Sequence, residues 1–209
     1  MNMKNNFKKK VVKEKDFESY SAEFLYKTLK TLSENKKNIS IALSGGSTPL
    51  PILSLLKDYK LNWEYFNFFM VDERNVSISS SSSNYGNIEK VFFRDVNSSS
   101  HSMINDNDSI EECAINYEKL ICLKIPLGEN DLPIFDLIIL GIGDDGHMAC
   151  LFPDTKGLSE SKKVVIKNSV PQLNTERITL TYPVILNASK IIILAKGAAK
   201  DEILKEIKM

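Results

Sequence analysis

His147 is one of two histidines in the chain, and its surroundings suit proton transfer. It follows directly on Gly141-Ile-Gly143-Asp-Asp-Gly146, so two aspartates and a glycine-rich turn lie beside the imidazole. Histidine titrates near neutral pH, and Asp145 can orient the ring or keep it basic, which makes His147 a candidate general base. His101 sits in a Ser/Asn-rich stretch without such company and reads as a surface residue.

A second cluster is Ser44, Gly45, Gly46, Ser47 and Thr48, followed by Pro49. Small residues leave backbone N–H groups exposed at a helix start, which is a ready anion site. The run is not a Walker A loop, because it lacks Gly-Lys-Ser/Thr. It matches a nucleophile elbow around Ser47 only loosely, since proline stands where the second glycine belongs. An ordinary helix cap is the alternative, but two adjacent glycines are costly unless the backbone needs them. Gly141–Gly146 also fits G-x-G-x-x-G. A dinucleotide fingerprint needs a helix opening at the last glycine, whereas Pro153 ends whatever starts at His147, and the aspartates would repel a pyrophosphate. Arg74, Arg177 and Lys200 are each ordinary surface charges when taken singly. Together with the glycine loop they suggest an anionic substrate. Spacing alone therefore leads to a phosphate-binding α/β enzyme with a histidine base.

The elements that must position these groups can be read from periodicity. Ile39–Leu43, Asn67–Val71, Phe135–Leu140 and Ile191–Leu194 are short apolar runs bounded by turns, as buried strands are, and 177–181 alternates like a further strand. Helical spacing covers 17–32, 50–56, 83–93, 109–123 and 198–207, with Pro49 after Ser/Thr as a helix-start signal. Alternating strands and helices predict a three-layer α/β/α sandwich with a mostly parallel, Rossmann-like sheet, in one domain over residues 1–209. Ligands bind such sheets outside the C-terminal strand ends. The segments 77–83 and 97–109 read as loops of low complexity, and the first is placed to cover a site as a flap.

Composition narrows the classes. The 27 basic and 27 acidic residues cancel, so no general field holds nucleic acid or an anionic membrane. The apolar stretches are too short to span a bilayer. The lysine-rich start Met1–Lys10 is followed by no apolar run, which argues against a secretory signal. Three cysteines without metal-ligand spacing and only two histidines point to a reduced, cytoplasmic setting without a protein-built zinc site.

Four blocks carry a resemblance. They are Leu43–Pro49; Val71-Asp-Glu-Arg-Asn-Val76 with Ser83-Asn-Tyr85; Leu140–Pro153; and Arg177–Val184 running to Lys196-Gly-Ala-Ala-Lys200. In this order they resemble the 6-phosphogluconolactonase family, within the larger group that includes glucosamine-6-phosphate deaminase. The deaminases carry Phe-Asn-Glu-Pro after the Gly-His turn and Asp-Glu-Tyr at the second block. This chain has Cys150-Leu-Phe-Pro153 and Asp72-Glu-Arg74, and so lacks the deaminase glutamate.

The resemblance implies hydrolysis of 6-phospho-D-glucono-1,5-lactone to 6-phosphogluconate, in the oxidative pentose phosphate pathway, without a metal or organic cofactor. His147 would activate water and Asp145 would hold the imidazole. The amides near Gly45 and Gly46, with Arg74, would stabilise the oxyanion, and Arg177 and Lys200 would grip the phosphate. Asp72 would contact sugar hydroxyls or position Arg74. Cys150 stands where the family usually has serine. The family also continues past the last helix into a further strand and helix, so the chain resembles one piece of a longer polypeptide or a shortened domain. Fusion to or association with glucose-6-phosphate dehydrogenase, and a monomeric or dimeric state, are compatible with it. The rival readings are a serine esterase using Ser47, an amino-sugar-phosphate deaminase or isomerase, and a non-catalytic sugar-phosphate-binding module.

Overall fold

The computed structural model describes residues 8–197 and 200–206. In chain order the elements are α1 (Phe17–Asn35), β1 (Ile39–Leu43), α2 (Pro49–Leu56), β2 (Phe66–Met70), β3 (Asp72–Arg74), α3 (Asn84–Ile88) with a π-helical continuation over Glu89–Phe93, and β4 (Ser99–His101). They are followed by α4 (Ile110–Lys124), β5 (Leu137–Gly141), β6 (Val165–Val170), β7 (Thr175–Leu180), α5 (Tyr182–Leu186), β8 (Ile191–Leu194) and α6 (Lys200–Glu206).

Five strands form a parallel sheet in the order β4-β2-β1-β5-β8. Every residue of the central strand β1 is buried, as an all-parallel sheet covered on both faces requires. Neighbouring residues of a strand point to opposite faces. Phe68 meets Phe92 and Phe93 from the segment after α3, whereas Phe69 meets Tyr117 of α4 and Phe135. Helical segments thus cover both faces, and the predicted three-layer sandwich is what the chain forms.

Strand order reverses beside β1, because β2 and β4 lie on one side and β5 and β8 on the other. The loops after β1 and β5 flank the crevice that this reversal opens. A second sheet, β3-β7-β6, is antiparallel. Val71 joins the two: its N–H donates to the Leu43 carbonyl at 2.9 Å, and its own carbonyl accepts from Leu180 N–H at 2.8 Å.

Several expectations change. The segment 97–109, read as a loop, contains β4, whose sequence Ser-Ser-His has no apolar period and which pairs with β2 all the same. His101 is not a surface residue: its ring lies 4.7 Å from that of Phe69, and burial pushes its pKa down to about 4. Strand β6 has no apolar period in the sequence, because Lys167 and Asn168 interrupt its apolar residues. The stretch 83–93 divides into α3 and the π-helical turns. Of the helix expected over 198–207, Lys200–Glu206 is helical, while Ala198, Ala199 and Ile207 lie outside the described residues, as do Met1–Phe7. Among the described residues no helix is long and apolar enough to cross a membrane.

Candidate active site

The loop after β1 is held at both ends. Ser44 N–H donates to the Ile139 carbonyl of β5 at 2.9 Å, and Pro49 opens α2 four residues after Gly45. Between them the N–H groups of Gly45, Gly46 and Ser47 donate to no other described residue. Free amides before a helix N-terminus suit an anion, because they point unpaired donors at it. A Cβ at Gly45 would lie 2.2 Å from Asn84 Cγ and Oδ1, so glycine is needed there for close approach.

The turn after β5 folds His147 back on itself. Gly143 N–H donates to the His147 carbonyl at 2.8 Å, and a Cβ at Gly143 would lie 2.1 Å from His147 Nδ1. Only glycine leaves room for the imidazole. His147 Nδ1 and Asp145 Oδ1 are 2.5 Å apart, and Oδ1 also accepts the His147 backbone N–H at 3.2 Å. Partial burial pushes the Asp145 carboxyl up, but the hydrogen bonds from the His147 ring and backbone outweigh it and hold Asp145 below the usual carboxylate range. Asp145 Oδ1 accepts a hydrogen bond from Nδ1–H, and in that tautomer the lone pair of Nε2 is left free. On its face the ring is stacked by Phe152.

The antiparallel sheet delivers the arginines. Arg74 of β3 and Arg177 of β7 are direct cross-strand partners. Arg74 Nη1 donates to the Ser82 carbonyl at 2.5 Å, and Arg177 Nη1 donates to Cys150 Sγ at 3.6 Å with its guanidinium 5.3 Å above the Phe152 ring. Neither Nε has a partner, although both are buried. Asp72 does not pair with Arg74. Its Oδ2 accepts from the Cys150 thiol at 3.0 Å and from Asn84 Nδ2 at 3.1 Å, because the turn at Val71 points it into the seam between the sheets. Lys200 pairs with Asp144 of the glycine turn. Ser47 is exposed and makes no hydrogen bond to His147, as a nucleophile–base pair would.

Six buried side-chain polar atoms lack a partner among the described residues, and four of them, Ser44 Oγ, Arg74 Nε, Asn84 Oδ1 and Arg177 Nε, belong to this region. Unpaired buried polar groups are rare, and such a concentration marks a place built for a ligand. Among the described residues no group of three or more His, Cys, Asp and Glu is arranged to hold a metal.

Four residues of the site escaped residue-by-residue reading: Glu73, Asn84, Cys150 and Phe152. Glu73 alternates with Asp72 and Arg74 along β3 and is fully buried, where its carboxylate takes the backbone N–H groups of Arg74, Asn84 and Tyr85. Burial pushes its pKa up and these hydrogen bonds oppose the rise. The Ser83-Asn84-Tyr85 triplet was the available signal for it, since an N-cap serine marks the helix end on which that carboxylate sits. Nothing local distinguishes Cys150 or Phe152 from core residues.

Comparisons with known proteins converge on one family. The 6-phosphogluconolactonase of Chlamydia pneumoniae is 38% identical over 170 residues, which cover 80% of this chain and 64% of that protein. The 6-phosphogluconolactonase-like protein 1 of Saccharomyces cerevisiae is 36% identical over 196 residues, 86% of this chain and 60% of that protein. The chain therefore spans a little under two thirds of these relatives. The crystal structure of 6-phosphogluconolactonase from Thermotoga maritima superimposes with a TM-score of 0.84 at 29% identity, covering 94% of this chain and 88% of that one. Residues 13–209 match the family model described as glucosamine-6-phosphate isomerases/6-phosphogluconolactonase. With that match over nearly the whole chain, the chain belongs to the glucosamine-6-phosphate isomerase/6-phosphogluconolactonase family.

Proposed function

We propose that the chain hydrolyses 6-phospho-D-glucono-1,5-lactone to 6-phosphogluconate. The observation that carries the reading is the His147–Asp145 pair at 2.5 Å, set like the free amides of Gly45, Gly46 and Ser47 at the C-terminal ends of the neighbouring strands β1 and β5. His147 Nε2 takes a proton from water while the water oxygen bonds to the lactone carbonyl carbon. The carbonyl electrons move to oxygen, and the amides of Gly45 and Gly46 with Arg74 stabilise that oxyanion. Collapse re-forms the carbonyl and breaks the bond to the ring oxygen, which takes the proton back from the imidazolium. Arg177 and Lys200 hold the phosphate, with Lys200 exchanging part of its contact to Asp144 for the ligand. Asp72, already bonded to Cys150 and Asn84, offers its remaining acceptor capacity to sugar hydroxyls.

Phe152 favours hydrolysis over deamination. The deaminases place glutamate just before the proline, whereas here Phe152 stands before Pro153 and its ring lies on the imidazole. All three cysteines are free, as a reducing compartment keeps them, and a cytoplasmic location is part of the proposal.

The deciding experiment follows freshly generated lactone with and without the protein, subtracting spontaneous hydrolysis. Acceleration that falls by ~10²–10⁴-fold in His147→Ala supports the mechanism, because that is the range a general base supplies. Equal rates for wild type and His147→Ala sink it.

A further inference from the structure

Asn84 is 3% exposed, and no step of the reaction above uses it. Its Nδ2 donates to both the backbone carbonyl and Oδ2 of Asp72, each at 3.1 Å. Its Cγ and Oδ1 fill the volume that a side chain at Gly45 would need. Oδ1 is buried without a partner. An apolar side chain would fill the same volume without leaving an oxygen unpaired. The amide is therefore explained by what its other end holds.

Glu73 seats this residue. Oε1 accepts from Arg74 N–H at 2.8 Å and Asn84 N–H at 2.7 Å, while Oε2 accepts from Tyr85 N–H at 2.7 Å and Ser83 Oγ–H at 3.0 Å. One buried carboxylate thus ties both ends of the 75–82 segment together. With its backbone held, Asn84 has no room to slide away from Gly45.

We propose that Asn84 is a positioning residue anchored by Glu73, a spacer clamped between Asp72 and Gly45 that sets where the loop amides stand relative to Arg74 and Arg177. The proposal rests on the reading of those amides as the group that holds the anionic substrate. It explains two facts at once: why position 45 is glycine, and why the residue behind it is an amide rather than an apolar side chain of similar size.

The test is Asn84→Asp, which turns a carboxyl oxygen toward the two acceptors of Asp72. Two carboxyl groups in contact cannot both ionise freely, so the variant clamp opens when both are charged and closes when one proton is shared. The measured quantity is the dissociation constant for inorganic phosphate, variant over wild type, by calorimetry on folded protein. Taking the ratio removes the titration of phosphate itself. The expected ratio is about tenfold at about pH 8 and falls toward one near about pH 5.5. A ratio that stays flat with pH overturns the proposal, as does a wild type that binds no phosphate.

Asn84→Ala is the second variant. It should raise KM for the lactone by about tenfold in a protein whose circular dichroism is native, since orientation is lost while the base remains. A purely structural residue would instead lower the melting temperature and leave KM and phosphate affinity unchanged, and that result would also overturn the proposal. Should wild type bind phosphate yet fail to accelerate lactone hydrolysis, the hydrolase reading falls while the phosphate ratio still decides the clamp.

Discussion

The imidazole of His147 lies on the ring of Phe152, with centroids 3.8 Å apart and planes 23° from parallel. Phe152 also carries the Arg177 guanidinium 5.3 Å from its centroid. One aromatic ring therefore supports both the base and a phosphate-binding cation of the proposed reaction. Phe152→Ala should lower kcat about tenfold and raise KM, because base orientation and a cation–π contact of about 0.5–1 kcal/mol are lost together. Phe152→Tyr should stay near wild type in the same steady-state assay. An alanine variant with unchanged constants would show that Asp145 alone holds the ring.

Asp145→Asn tests that other hold. The amide can turn its NH2 toward Nδ1, which moves the ring proton to Nε2 and removes the basic nitrogen from the water. Turnover should fall by ~10²–10⁴-fold with little change in KM. A pH–rate profile and kcat for the variant beside wild type would reveal whether the carboxylate acts this way.

Gly143→Ala places a methyl 2.1 Å from His147 Nδ1. The imidazole must leave its seat, since chirality fixes where the Cβ stands and the atoms it meets there are the His147 ring and Asp145 Oδ1 at 2.7 Å. The expected result is a folded protein with activity down at least about a hundredfold. Thermal unfolding should separate this from simple loss of structure, because the turn is at the surface edge and not in the core.

Burial holds His101 near a pKa of about 4, against an ordinary value of 6.5. Between those values the unfolded chain binds the proton and the folded chain does not, so stability falls as pH drops through this window and levels off below about 4. His101→Phe should remove that part of the slope in urea unfolding measured across the window. An unaltered slope would assign it to other groups.

Cys150 is fully buried, and burial together with the nearby Asp72 carboxylate pushes its thiol well above the ordinary range. Thiolate is the reactive form. Thiol reagents should therefore label exposed Cys122 in the native protein, and reach Cys150 and Cys113 only on unfolding. Peptide mass mapping before and after denaturation distinguishes these outcomes.

What could be read along the chain is what depends on near neighbours. The strands Ile39–Leu43 and Ile191–Leu194 have the boundaries their apolar runs predict, and Pro49 opens α2 where its missing N–H is harmless. The pairing of Asp145 with His147 spans two residues and needs only the glycine turn. Periodicity and spacing report such local relations. The resemblance of four ordered blocks extended them to a family and to a set of candidate residues.

The tertiary structure decided the rest, because it rests on side chains that meet from different elements. Asp72 turned from Arg74 toward Cys150 and Asn84 when β2 bent at Val71 from one sheet into the other. Arg74 and Arg177 became cross-strand partners only through the register of β3 with β7. His101 became half-buried because edge pairing with β2 carried a polar tripeptide onto Phe69. Asn84 filled the space beside Gly45 because α3 is capped by a carboxylate from β3. Each of these follows from the packing of a sheet edge, where hydrogen-bond register and not apolar period selects which groups face each other.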